Sequence, residues 1–255
     1  MRINNNLMAI NTHRQMGIAT NSASKGMEKL SSGLRINRGA DDAAGLSISE
    51  KMRGQIRGLE QASKNAQDGV SYIQTAEGAL NEVSSMLTRL KELTVQKANG
   101  TYNADDITNL ELEMTQLGTE IDDIIANTEF NGTNAFAATI NVVVSDDDLD
   151  VLAVGAVVAA QTLTSASATA DVETSINAIN TARSTFGAHQ NRLEHRVESL
   201  NTTAENLQAA ESRIRDTDMA KEMSTLTKNN ILLQASQAML AQANQAPQGV
   251  LQLLR

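Results

Sequence analysis

Five of the 255 residues are aromatic, namely Tyr72, Tyr102, Phe130, Phe136 and Phe186; proline occurs once, at Pro247, and cysteine and tryptophan are absent. Rings bury roughly 150–250 Å² each and anchor ordinary globular cores, so their scarcity speaks against a compact, enzyme-like core. Without cysteine there is neither a disulfide nor a thiolate site. A single proline leaves nearly the whole chain free to be helical. Met1 to Asn6 contain no apolar h-region and no cleavage pattern, so no cleaved secretory signal is expected. No run approaches the ~20 apolar residues of a bilayer span. Val151–Ala160 comes nearest and is too short, so no membrane insertion is expected.

Basic residues are missing from one long stretch. Ala98 to Ala182 contains none of the 21 Lys and Arg residues but fourteen of the 30 Asp and Glu residues. The remaining ends carry 21 basic against 16 acidic residues, so the formal charge of -9 is a sum of opposites. A net negative chain is a poor match for general nucleic-acid binding. The ends and the middle present different surfaces.

What the sequence has is heptads. Met52, Leu59, Ala66, Ile73, Leu80 and Leu87 recur at steps of seven. A second row, Ile56, Ser63 and Val70 and then Ala76, Val83 and Leu90, drifts slightly beside it. Val172, Ile179, Phe186, Leu193, Leu200, Leu207 and Ile214 form a further run without a miss. Steps of seven keep one seam on a partner helix. Each run predicts a rod roughly 60–80 Å long at 1.5 Å per residue. Between them Ile107, Leu110, Met114, Leu117, Ile121 and Ile124 alternate steps of three and four, the mark of another helix. Asn99-Gly100 and Asn131-Gly132 bracket it as turns. The expected fold is mainly α: a long antiparallel three-helix bundle or coiled coil, with the first and last rods the longest.

Residues 137–170 read differently. Val142 to Val144 and Val151 to Val158 are rich in β-branched residues and are interrupted by Asp146, Asp147 and Asp148, predicting one or two short hairpins. The aspartate run lacks the glycine and distal Glu of a calcium loop, so it reads as a solvated turn. Thr162 to Ala170 reads as a small, uncharged linker. At the ends, Ile3, Leu7, Ile10, Met16 and Met27, and Met219, Met223, Leu226, Ile231, Leu232, Met239 and Leu240, make weakly amphipathic patterns. Each offers little apolar area against an ordering cost of about 1–2 kcal/mol per residue. Such segments fold against a partner, either each other or other copies of the chain. Leu34–Gly45 and Asp216-Thr217-Asp218 separate them from the rods.

Catalytic chemistry is not visible. His13, His189 and His195 are the only histidines, and the last two are spaced wrongly for joint metal ligation, so both read as rod-surface residues. A carboxylate pair needs a pocket to move its pKa, and a slender bundle offers none. No catalytic residue, metal site or cofactor is expected.

The stretch MEKLSSGLRINRGADDAAGLSISEKMRGQIRGLEQASKNAQDGVSYIQTAEGALNEV, Met27–Val83, resembles the N-terminal region of bacterial flagellins. RIRDTDMAKEMSTLTKNNILLQASQAMLAQANQAPQGVLQLLR, Arg213–Arg255, resembles their C-terminal region. The likeness covers Met1–Gly132 and Val172–Arg255 and is nearest to the short flagellins of Gram-positive rods. It implies a structural subunit of the flagellar filament, serving swimming motility, with no enzymatic activity. It also implies inner coiled-coil segments at 1–40 and 215–255, rod-domain parts at 41–136 and 172–214, and a reduced variable outer insert at 137–171. Such a subunit is exported unfolded through the flagellar type III channel and works outside the cell. Its implied partners are copies of itself, a secretion chaperone, the filament cap, hook–filament junction proteins and host flagellin receptors.

Particular positions follow from the same likeness. Arg89, Leu93 and Glu113 match the family's patch for a Toll-like receptor, with Thr88 where a glutamine is common. Arg89 and Glu113 also read as an inter-helix salt bridge, worth about 0–1 kcal/mol at a surface. Leu251, Leu253 and Leu254 resemble the terminal leucines read by intracellular sensors, and with Leu7, Ile10, Met239 and Leu240 they are expected contacts of the inner core. Thr162, Thr164, Ser165 and Ser167 are candidate glycosylation positions. A junction protein or adhesin would share the ends more loosely. An enzymatic flagellin would need a larger middle with a zinc motif.

Overall fold

The computed structural model describes residues 6–147, 150–161 and 163–253, with side chains described as far as residue 245. Among these residues the helices are α1 (Leu7–Ser32), α2 (Ala43–Lys97), α3 (Ala104–Asn127), α4 (Thr169–Arg215) and α5 (Met219–Leu253). Four short strands lie between α3 and α4: β1 (Glu129–Phe130), β2 (Thr133–Asn134), β3 (Ile140–Val143) and β4 (Val151–Val154). Two compact units result, one from Met1–Arg53 with Leu207–Arg255, the other from Gly54–Asn206.

In the second unit, α2 turns its seam inward. Leu59, Ala62, Ala66, Ile73, Ala76, Leu80, Val83, Leu87 and Leu90 are all buried, at steps of three and four. The second row of this seam therefore passes through Ala62 and Gly69, both buried, whereas Ile56 and Val70 are half-buried. Of the drifting row expected from Ile56, Ser63 and Val70, Ser63 is buried, and Ile56 and Val70 are corrected. Small residues hold the row in register, and a pattern drawn on larger side chains does not register them. On α4, Val172, Ile179, Phe186 and Leu193 are fully buried and Leu200 nearly so. The two helices run antiparallel: Ser63 Oγ donates to Asn201 Oδ1 at 3.0 Å, and Lys91 pairs with Glu173 at 2.9 Å.

Helix α3 begins with a capping box, Asn103 accepting from the Asp106 amide while the Asp106 carboxylate accepts from the Asn103 amide. It folds back beside α2, burying Met114, Gly118, Ile121 and Ile125. Lys97 pairs with Glu111 at 2.8 Å across this αα-hairpin. Asn131-Gly132, expected as a simple turn, closes the β1–β2 hairpin. Both residues have positive φ, 51° and 76°, the requirement of the two-residue turn whose twist suits antiparallel strands. Asn134 then donates to the Ile125 and Ala126 carbonyls at the end of α3 and accepts from the Phe136 and Ala137 amides.

The β3–β4 hairpin pairs antiparallel, Ile140 with Val154 and Val143 with Val151. Its segment adds Val142, Val144, Val154, Val158 and Leu163 to the same core as the helices. The few rings gather there too. Phe136 meets Phe186 edge to face at 6.4 Å, and Tyr72 meets Phe130 at 5.9 Å. The Tyr72 hydroxyl donates to the Ala135 carbonyl at 2.8 Å, satisfying its only buried polar group. Scarce rings are concentrated where the strands close the bundle.

Candidate functional site

The first unit pairs the two ends of the chain. Ala19, Ala23 and Gly26 are the buried residues of the α1 seam, and among the described side chains of α5 Ala243 is buried. A Cβ at Gly26 would lie 3.2 Å from Glu222 Oε1 and 3.8 Å from Leu226 Cδ1. At the other end Asn6 Nδ2 donates to the Ala243 carbonyl at 2.7 Å, which fixes an antiparallel register. Small seam residues let the backbones approach closely, and Cα atoms of α1 and α5 come within 8 Å of each other along the pair. The cost of such a seam is small buried apolar area.

The larger apolar side chains are left outside. Leu7, Met8, Ile10, Ile18 and Met27 on α1 are exposed, as are Met219, Met223, Ile231, Leu232 and Met239 on α5. On α1, Leu7 and Ile10 lie toward the face opposite Ala19 and Ala23 at 100° per residue, and Ile18 lies on the flank. From Asn229 to Leu253 the sequence contains no ionisable side chain. An exposed surface that carries large apolar groups and no charge marks an interaction site. Leu240 is half-buried on the seam side; the side chains of Leu251 and Leu253, and the whole of Leu254, lie outside the described residues. So does Ile3 of the expected α1 pattern.

A short clasp joins the two chain breaks of this unit. The Arg35 amide donates to the Arg215 carbonyl at 2.6 Å, and the Thr217 amide donates to the Gly33 carbonyl at 2.9 Å. Arg35 also donates to the Ile214 carbonyl, and Arg215 pairs with Glu50 at 2.5 Å. The Leu34–Gly45 connector is ordered from within. Asp41 Oδ2 accepts from the Asn37 and Arg38 amides, and these bonds hold its carboxyl below the usual carboxylate range. Asp42 accepts from the Gly45 amide at 2.8 Å at the start of α2. Ile36, only 1 % exposed, plugs the connector. No periodic pattern contains Ile36, so only its isolation as an apolar residue among polar neighbours could have marked it.

The other positions singled out in the sequence distribute as follows. The seam residues Met52, Leu207 and Ile214 are half-buried, in the first unit. Arg89 bonds Glu113 through Nε at 3.0 Å and pairs with Glu92 at 3.2 Å, and these two carboxylates raise its pKa. Both Arg89 and Glu113 keep nearly half of their side-chain surface. Leu93 is fully buried beneath them, so the exposed part of that patch is polar. Thr164 is exposed, Ser165 and Ser167 are half-buried in a turn where Ser167 Oγ accepts from the Thr164 amide, and Thr162 lies outside the described residues. His189, expected on the rod surface, instead has an enclosed Nδ1 with no hydrogen-bond partner among the described residues. Burial, aided by the charge of Arg192, lowers its pKa. Its heptad step from Ala182 places it on the seam, which explains the difference. Among the described residues no cluster of His, Cys, Asp and Glu could hold a metal ion, and no helix is long and apolar enough to cross a membrane.

Long helices packed on a continuous seam, with a terminal pair that leaves its large apolar groups uncovered, define a helical structural subunit. Comparison with known proteins gives the class its family. Residues 3–141 match the family model described as the bacterial flagellin N-terminal helical region, and residues 169–254 match the bacterial flagellin C-terminal helical region. The chain is 54% identical to a flagellin of Halalkalibacterium halodurans and 49% identical to a flagellin of Bacillus subtilis, covering 100% of each chain in both pairs. It is 46% identical to the flagellar filament 33 kDa core protein of Treponema phagedenis, again over 100% of both. The chain belongs to the bacterial flagellin family.

Proposed function

We infer that the chain is a structural, non-enzymatic subunit of the bacterial flagellar filament. The observation that carries this reading is the terminal pair α1–α5, whose exposed Leu7, Ile10, Ile18, Ile231 and Met239 have no cover within their own unit. A contact between two different surfaces of identical chains, repeated without closure, generates an open helical fibre. The uncharged stretch after Asn229 suits a place inside such a fibre, where an ionised group would be desolvated.

In this reading segments 1–40 and 215–255 form the inner layer, segments 41–136 and 172–214 form the surrounding rods, and 137–171 lies outermost on them. Leu7, Ile10, Met239, Leu240, Leu251, Leu253 and Leu254 serve as inner contacts. The subunit works outside the cell, leaves it through the flagellar type III channel, and meets a chaperone, a cap and junction proteins on the way. Arg89 and Glu113 are the groups available to a host receptor, and Thr164 is the most accessible glycosylation position. Negative-stain imaging of purified full-length chain seeded with filament fragments tests the central assignment. Long uniform fibres are expected. Persistent monomer at all protein and salt concentrations would contradict it.

A further inference from the structure

The second unit holds a cavity of about 420 Å³ bordered by the β3–β4 hairpin and α4. Val144, Asp150 and Leu152 line it on the strand side, and Arg192, His195 and Arg196 on the helix side. The three α4 residues stand three and four apart, so they share one helix face. Arg196 is already committed. It pairs with Asp150, and its Nε donates to the Val144 carbonyl at 3.2 Å, tying the hairpin to the helix. Arg192 is exposed and has no hydrogen bond or ion pair among the described residues. Its charge is felt by His189 one turn away, whose protonated form it disfavours. Among the described residues the cavity therefore offers a cation without a paired carboxylate beside an apolar wall.

We propose that this cavity receives a carboxylate from α3 of a second copy of the chain. The proposal rests on the filament reading and names one of its contacts. Ala98 to Ala182 contains fourteen acidic residues and no Lys or Arg, so that stretch has no cation of its own. Several of its acids are nonetheless satisfied within the unit. Glu111 meets Lys97, Glu113 meets Arg89, and Asp122 Oδ1 accepts from the Gln161 amide at 2.8 Å. Asp105, Glu120 and Asp123 remain exposed on α3, without a partner among the described residues and outside the cavity lining, and of these only Glu120 and Asp123 are near each other in the chain. They stand three residues apart, the same step as Arg192 and His195, so two crossing helices can present them together. Donor and acceptor surfaces differ, as a contact that repeats along a fibre requires. Opposed charge also fixes register between copies and disfavours wrong pairings.

The test is seeded polymerisation of the full-length chain, read as the concentration of subunit left in solution at equilibrium. Arg192→Glu is expected to raise that concentration roughly tenfold, in the range of interfacial charge pairs, with an unchanged circular dichroism spectrum because the side chain is exposed. Adding Glu120→Lys and Asp123→Lys to Arg192→Glu is expected to restore most of the loss. Normal polymerisation of Arg192→Glu overturns the proposal alone, as does a loss that the reversed α3 residues leave unrestored. Inorganic phosphate binding to the monomer through Arg192, with polymerisation unaffected by the substitution, would make the cavity a small-anion site instead. Failure of the unsubstituted chain to polymerise overturns the filament reading, and this contact with it.

Discussion

Asp41 and His189 show how single side chains tie stability to pH. The Asp41 carboxyl is lowered from 3.8 by backbone amides, so its contribution is complete above that value and is lost as pH falls through the lowered one. His189 is lowered from 6.5 chiefly by burial, so the fold favours its neutral form. Its penalty begins as pH drops below 6.5, where the unfolded chain takes up a proton and the folded chain resists. Acid should therefore weaken the protein in two windows, the first from His189 and the second from Asp41. Urea midpoints measured between pH 7 and 5 should fall, and His189→Gln should flatten that fall while leaving the steeper loss at lower pH. A midpoint that stays constant from pH 7 to 5 in the unsubstituted chain would contradict the assignment. The sequence placed His189 in the right run but on the wrong face. Its heptad position was legible; the enclosure of Nδ1 was not, because enclosure depends on neighbours outside α4.

At the scale of elements, hydrophobic period carried most of the information. The α4 seam from Val172 to Leu200 is buried at the positions its spacing marks, as are Met114 and Ile121 on α3, where Gly118 and Ile125 are buried and the expected Leu117 and Ile124 are half-buried. The period misleads where small residues take over, at Ala62 and Gly69 on α2 and at Gly118 on α3, and it is weak in α1 and α5. There the fully packed positions of α1 are Ala19, Ala23 and Gly26, with Leu226 of α5 against Gly26, and most of the larger apolar groups point away. Apolar pattern alone would turn those helices the other way. Gly118 illustrates the same blindness. A Cβ there would lie 2.1 Å from the Leu163 carbonyl oxygen, a backbone atom of the segment leading into α4. Nothing in the stripe of α3 announces that crossing. Gly118→Ala must push the segment off the helix, and it should cost about 1–3 kcal/mol, as overpacking of a core does. Denaturant unfolding with an unchanged midpoint would show that the crossing is not tight.

At the scale of the whole molecule, the two compact units use different physics. The Gly54–Asn206 unit closes a core of Leu, Ile, Val and a few rings upon itself. Among the described residues, the unit formed by the chain ends buries mainly alanine and glycine on its α1–α5 seam, and it exposes ten large apolar side chains on these helices. Burial supplies about 25 cal/mol per Å² of apolar surface, so the second kind of unit gains less by itself than it can gain among copies. The segregated charge fits this division, since Asn229 to Leu253 carries none and the acidic stretch belongs to the unit with the closed core. The family and its fold were legible because both ends of the chain retain long collinear motifs. The cavity beside Arg192 was not, because it joins a hairpin and a helix far apart in sequence. Amide hydrogen exchange, compared between monomer and assembled filament, tests the central claim most directly. Amides of α1 and α5 should exchange quickly in the monomer and become strongly protected in the filament, while those of α2 and α4 between Leu59 and Leu200 are protected in both. Terminal helices equally protected in the monomer, or still exchanging freely in the filament, would contradict it.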